Sequence, residues 1–415
     1  MNSLLVVLLL ALIGLIGARL TFARRPVPLG PRIAVATGLP FLFLGFLLGP
    51  HLLRVLAAAT IEDLTPLLAL GLGWIGVLFG LQLDREALRQ FPVRYLVITW
   101  LQATVAFIIV LLVGQLLADA WSPVEVRGIV LAVAATACVS TPAAIALVSN
   151  TYQSRGRVTR LLFYAGSLDA AVGIVALGLT QAAHHTPLSG QGVAMSFLEW
   201  LAVTVLLGSF FGLLFLSLTR IWPRAEELML LLIGLVLFAA GTAFFLELSP
   251  LLVCMIAGIV IGNLSTMRRR VYAALSNWEK PIYVMLLVLA GALLRFPSWW
   301  VVPLAAAYLA ARILAKWVGG LTAAPLRPAD LELPRSFGLA LIPQGGISLA
   351  MAISFFLIYV PEGPEVGIAL DMFLAVVVIA VGVSDLIGPF LVKNVLERAN
   401  EIDRSLARAT AAGGA

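Results

Sequence analysis

The feature that most restricts this chain is the recurrence of long apolar runs, one after another, from the first residues to about residue 391. A membrane-spanning helix needs about 20 apolar residues, and a soluble globule has no place for so much apolar surface because its outside must still meet water. Charged residues make up only 12% of the 415, where a soluble domain carries about a quarter. The chain is therefore expected to be an all-α membrane protein, with lipid as its solvent over most of its length.

Runs bounded by charge, Pro or Gly predict thirteen spans. They cover approximately residues 3–22, 33–50, 65–81, 94–118, 126–149, 159–182, 194–219, 226–247, 249–265, 278–296, 299–320, 336–359 and 366–391. The first has no basic residue ahead of its apolar run. Arg19, Arg24 and Arg25 follow it, so it reads as a membrane helix rather than a signal peptide. Alternate loops carry Arg24/Arg25/Arg32, Arg85/Arg89, Arg155/Arg157, Arg220/Arg224, Arg268/Arg269/Arg270 and Arg327/Arg335, and the tail adds Lys393, Arg398, Arg404 and Arg408. The opposite loops hold only Arg54, Arg127 and Arg295, with His184, His185 and several acids. By the positive-inside rule the N-terminus is outside and the C-terminus cytoplasmic. The same distribution accounts for the net charge of +6 without nucleic acid. Cys138 and Cys254 fall within apolar runs, lack disulfide or zinc spacing, and read as packing residues.

Thirteen spans divide as six, one and six. Two six-helix units joined by one helix enter the membrane in opposite directions, which is the plan of an inverted repeat. The fifth span carries Thr136-Ala137-Cys138-Val139-Ser140-Thr141-Pro142, and its counterpart, the twelfth, carries Pro343-Gln344-Gly345-Gly346-Ile347-Ser348. Each predicts an interruption near mid-span, tolerated only where backbone is buried in protein or lines a watery cavity. Two ordinary kinks are the plainer alternative. Two crossing broken helices would aim opposite dipole ends into one polar spot.

Ionisable residues at mid-membrane are costly and mark function by default. Asp169 lies in the sixth span about ten residues from its cytoplasmic start, roughly 15 Å deep, too far for an Asp to snorkel. Its alternative is a packing salt bridge. Arg312 and Lys316, one turn apart in the eleventh span, share a face, and either would neutralise a carboxylate with no cation bound; Lys316 alternatively snorkels. Asp385, in the thirteenth span, either pairs with that basic face or touches substrate. Glu199, Glu247 and Asp371 sit near span ends. Proton and metal cation compete for one carboxylate, and a hard monovalent cation wants oxygen ligands, such as exposed carbonyls and the hydroxyls of Ser140 and Thr141.

An ordered set of segments resembles the monovalent cation/proton antiporter superfamily of bacterial sodium/proton and potassium/proton exchangers. These are Leu70-Gly71-Leu72 through Phe79-Gly80-Leu81-Gln82-Leu83-Asp84; Ser140-Thr141-Pro142-Ala143-Ala144; Leu168-Asp169-Ala170; Ala290-Gly291-Ala292-Leu293; Lys316-Trp317-Val318-Gly319; Gln344-Gly345-Gly346; and Ile387-Gly388-Pro389. The resemblance implies one transmembrane transport domain, 1–392, with a mobile core (94–182 and 299–392), dimer or scaffold helices (1–83 and 226–296) and a linker helix (194–219). It implies elevator-like alternating access, a homodimer in the bacterial inner membrane and transport of Na+ or K+ and H+, with no cofactor and, beyond membrane lipid, no nucleic-acid partner. The short tail, 393–415, carries the expectation that no cytoplasmic nucleotide-binding domain gates the chain. Three positions depart from the pattern: Leu168 and Ala170 flank a single acid where relatives keep a polar pair, Ile347 replaces a glutamate, and Thr141 stands where an acid often precedes the proline. One carboxylate fits one-for-one, electroneutral exchange.

A sodium-coupled organic-anion carrier and a transport-inactive sensor on the same fold are the alternatives. An enzyme is not expected: there is no HExxH, no Ser/His pair within a span and no Gly-rich phosphate loop, and His51, His184 and His185 all fall in outward loops.

Overall fold

The computed structural model describes residues 12–16, 38–50, 52–56, 63–89, 91–121, 126–184, 196–220, 224–327, 331–359 and 363–402, all helix or connecting turn. Most of the first expected span lies outside these residues, as do Arg24, Arg25, Arg32, His51, His185, Arg404 and Arg408. The remaining expected spans each meet helix: α1 (Leu39–Leu48), α2 (Thr65–Gln82), α3 (Val93–Trp121), α4 (Arg127–Cys138), α5 (Pro142–Tyr152), α6 (Arg157–Ala183), α7 (Phe197–Leu218), α8 (Ala225–Phe245), α9 (Pro250–Leu264), α10 (Arg268–Leu293), α11 (Val301–Ala323), α12 (Gly345–Ile358) and α13 (Pro364–Arg398). Among the described residues, eight helical segments, α4 and α5 counted together, are long and apolar enough to cross a membrane; α1, α9 and α12 are shorter apolar helices.

Two ends differ from expectation. The tenth span was bounded at 278, yet α10 begins at Arg268, so Arg268, Arg269 and Arg270 stand in a helix rather than a loop. Hydropathy misses this turn because it is amphipathic; Val271 and Leu275 are fully buried while the arginines face outward. The thirteenth span was bounded at 391, but α13 runs on to Arg398 because Val392, Val395 and Leu396 remain buried. Lys393 and Arg398 are therefore helical. Of the acids expected at span ends, Glu199 closes a capping box on Ser196 and Asp371 lies 3.8 Å from Arg295.

Packing sorts the helices. α2 packs against α8, α9 and α10, α1 against α10, and α7 against α9. α3, α4 and α6 pack on one another, and α11 packs against α3 and α13, with α12 beside α13. Contact between these sets runs chiefly through α6 and α12 against α2, α9 and α10. α2 and α9 meet backbone to backbone: a Cβ on Gly80 would lie 2.1 Å from the Met255 carbonyl oxygen. Small residues that admit such approach drive helix association in lipid.

The end of α13 reaches back to the start of α6. Asn400 takes a left-handed φ of 56°, and the turn delivers Glu401 to the first amides of α6. Val158 N and Thr159 N donate to its carboxylate at 2.6 and 2.9 Å, and the Thr159 hydroxyl donates at 2.6 Å. Free amides and dipole at a helix N-terminus both favour an acid there.

Candidate functional site

The fifth span stops being helical after Cys138. Val139 and Thr141 are extended, and Pro142 is the first residue of α5, since proline lacks an amide hydrogen and disfavours helix in the residue before it. The twelfth span opens as a 3-10 turn, Phe337–Leu341, breaks over Ile342-Pro343-Gln344 and restarts at Gly345. The two breaks touch: Thr141 N donates to Pro343 O at 2.8 Å. Gly345 has a left-handed φ of 61°, and a Cβ there would lie 2.7 Å from Thr141 Oγ1, so the crossing requires glycine.

Each break frees backbone groups, and named side chains take them up. At the C-terminal end of α4, Lys316 Nζ donates to Cys138 O at 2.6 Å and Arg312 Nη2 to Val139 O at 2.5 Å. Gln344 Nε2 and Ser348 Oγ donate to Thr136 O at 3.2 and 3.3 Å. Arg312 also donates through Nη1 to Ile342 O in the other break. At the N-terminal end of α12, Gln344 N and Gly345 N both donate to Asp385 Oδ1 at 2.9 Å. Cations thus meet the negative helix end and an acid meets the positive one, as the helix dipole favours.

Asp169, in the middle of α6, is fully buried. Lys316 Nζ lies 2.9 Å from its Oδ2, and the Ser140 hydroxyl stands 2.8 Å from the same oxygen. Ser140 Oγ is equally near Leu341 O, at 2.8 Å, and receives a bond from Lys316 Nζ at 2.9 Å. A hydroxyl has one proton to give, so Ser140 serves either Asp169 or Leu341 at a time. Asp169 Oδ1 has no hydrogen-bond partner among the described residues. A buried oxygen of that kind is unusual. Among the described residues there is no cluster of three or more His, Cys, Asp or Glu suited to a metal; the oxygens near Asp169 suit a hard monovalent cation instead.

The structure sorts the residues the sequence singled out. Asp169, Ser140 and Lys316 converge. Arg312, expected as an equal candidate for Asp169, instead staples the two breaks. Asp385 forms no ion pair with Arg312 or Lys316 among the described residues and caps α12. Thr141 turns its hydroxyl to Ala143 N at 3.3 Å, as the cap of α5. Thr136 lies in the last turn of α4 rather than in the break, and Gly346 and Ser348 lie in the first turns of α12. Pro142 opens α5 after the first break, and Pro343 and Gln344 lie within the second. One participant was missed: Tyr308, whose hydroxyl lies 3.2 Å from Thr136 Oγ1 and receives Gln344 Nε2 at 2.9 Å. Its spacing held the signal, because Tyr308, Arg312 and Lys316 form a polar stripe of one-turn steps along α11.

Comparison with known proteins bears on the family and the fold. The family described as sodium/hydrogen exchanger, transmembrane, matches residues 5–398. No curated protein matches by sequence. Among solved structures, the sodium proton antiporter MjNhaP1 from Methanocaldococcus jannaschii at pH 8 superposes with a TM-score of 0.63 at 15% identity, covering 99% of this chain and 97% of that one. An electron-microscopy structure of the same antiporter gives a TM-score of 0.61 at 15% identity over 100% and 98% of the two chains. At that identity the likeness is one of fold.

Proposed function

The chain belongs to the sodium/hydrogen exchanger family, and on that premise we propose that it exchanges a monovalent cation, Na+ or K+, for H+ at Asp169 by alternating access. The observation that carries this reading is the state of the carboxylate: fully buried, with Oδ2 held by Lys316 and Oδ1 open. A cation entering at Oδ1 draws further oxygens from Ser140 and the carbonyls of the first break, while Lys316 gives up Oδ2. A proton competes for the same carboxylate. When neither is bound, the Lys316 ammonium pairs with the carboxylate in the resting site; exchange is coupled because the site crosses only when loaded with a cation or a proton.

One carboxylate and a lysine that keeps its proton give one cation for one proton, an electroneutral cycle. The packing supports a division of labour in which α3–α6 and α11–α13 form the moving core, α1, α2 and α8–α10 the scaffold, and α7 the linker. Two inverted repeats, thirteen crossings, a homodimer, a bacterial inner membrane and an outside N-terminus complete the reading.

Reconstituted vesicles with an imposed pH gradient test it. Wild type dissipates the gradient when Na+ or K+ is added, at a rate insensitive to an imposed membrane potential, and Asp169→Asn does not. Exchange by the variant at the wild-type rate would remove Asp169 from the mechanism.

A further inference from the structure

At the end where α3 closes and α4, α11 and α13 begin, these four helices line a half-open cavity of about 450 Å³ that does not include the carboxylate. Its walls are aliphatic, with Val113 and Leu117 from α3, Val130 from α4, Leu304 from α11 and Met372 from α13. It extends along α13 from Glu365 to Val376, about 16 Å at 1.5 Å per residue. Ser298, Trp300 and Glu365, accessible to the outside near the starts of α11 and α13, mark its mouth; Tyr308 lines it further along α11, its hydroxyl already engaged by Thr136 and Gln344.

Such a chamber offers water few partners, and a buried water needs two to four. Left empty, its walls forfeit dispersion contacts. The surrounding solvent supplies a better filling, since the chain lies in hydrocarbon. The rings of Trp299 and Trp300 stack at 3.9 Å beside the mouth, and tryptophans favour the headgroup level of a bilayer. Glu365, exposed and without an ion-pair partner among the described residues, is the single charged residue of the lining. A headgroup beside it is favoured if it carries an ammonium and disfavoured if it is a net anion. We propose that the cavity holds one acyl chain of an ethanolamine phospholipid, its chain end on Tyr308 and its ammonium against Glu365. The site is independent of which ion is exchanged.

The test uses the full chain in lipid nanodiscs containing a trace of phospholipid with a diazirine at the acyl-chain end. The headgroup is ethanolamine in one arm and glycerol in the other, and adducts are mapped by peptide mass spectrometry after irradiation. Adducts on Tyr308 and Met372 are expected, several-fold stronger from the ethanolamine lipid. Ala369→Trp, which fills the cavity, removes them while the lipid-facing residues of α7 and α8 still label. Glu365→Gln, a change to an exposed side chain that does not endanger folding, keeps the adducts but abolishes the headgroup preference. Labelling confined to α7 and α8 overturns the proposal. So does equal labelling by both headgroups, or by a diazirine-bearing alkane that has none.

Discussion

Two opposite charges buried together recover about what their desolvation costs, so a buried pair is weak as a mere staple; removing one partner costs about 3–5 kcal/mol. Asp169 and Lys316 are such a pair, with no solvent exposure on either side chain. Lys316→Ala leaves the carboxylate without its ammonium. The pH dependence of exchange is expected to shift along with its rate, read in vesicles across a pH series. Arg312→Ala leaves the pair in place and unfastens the breaks; its rate should fall without that shift in pH dependence. Asp169 was legible because a charge in an apolar run is costly and an Asp is too short to snorkel, whereas the choice between Arg312 and Lys316 was not. Both lie on one helix face, and only the position of the facing backbone separates a carbonyl staple from a carboxylate partner.

Half-helices in a membrane are held by what meets their ends. Asp385 accepts the first two amides of the α12 break, and losing a cap of this kind costs about 0.5–2 kcal/mol. Asp385→Ala should lower the melting temperature in detergent and slow exchange, while Asp385→Asn, which keeps an acceptor oxygen, recovers most of both. A melting temperature unchanged in the alanine variant would rule out the capping role. The breaks were legible from Pro142, Pro343 and paired glycine, because those residues disrupt helix locally. The cap was not, since Asp385 is 40 residues or more from the amides it accepts, a pairing that no local pattern encodes. The early start of α10 escaped for the opposite reason: its turn is helical by amphipathicity, while a search for spans weighs bulk hydropathy.

At the scale of the whole molecule, the family was legible from the order of its segments, yet how the two sets of helices bear on one another required the fold. α6 meets α9 where a Cβ on Gly178 would lie 2.3 Å from Leu252 Cδ2. If the core slides past the scaffold, a disulfide in Gly178→Cys/Leu252→Cys arrests exchange and a reductant restores it. Full activity with the bond formed would exclude relative motion at this contact. The start of α6, the helix that carries Asp169, is fastened by Glu401, 243 residues after Val158. A ribosome making this chain inserts α6 long before it synthesises its fastener. A nascent chain stalled before Glu401 therefore already holds Asp169, Ser140 and Lys316 while the first amides of α6 still lack this acceptor.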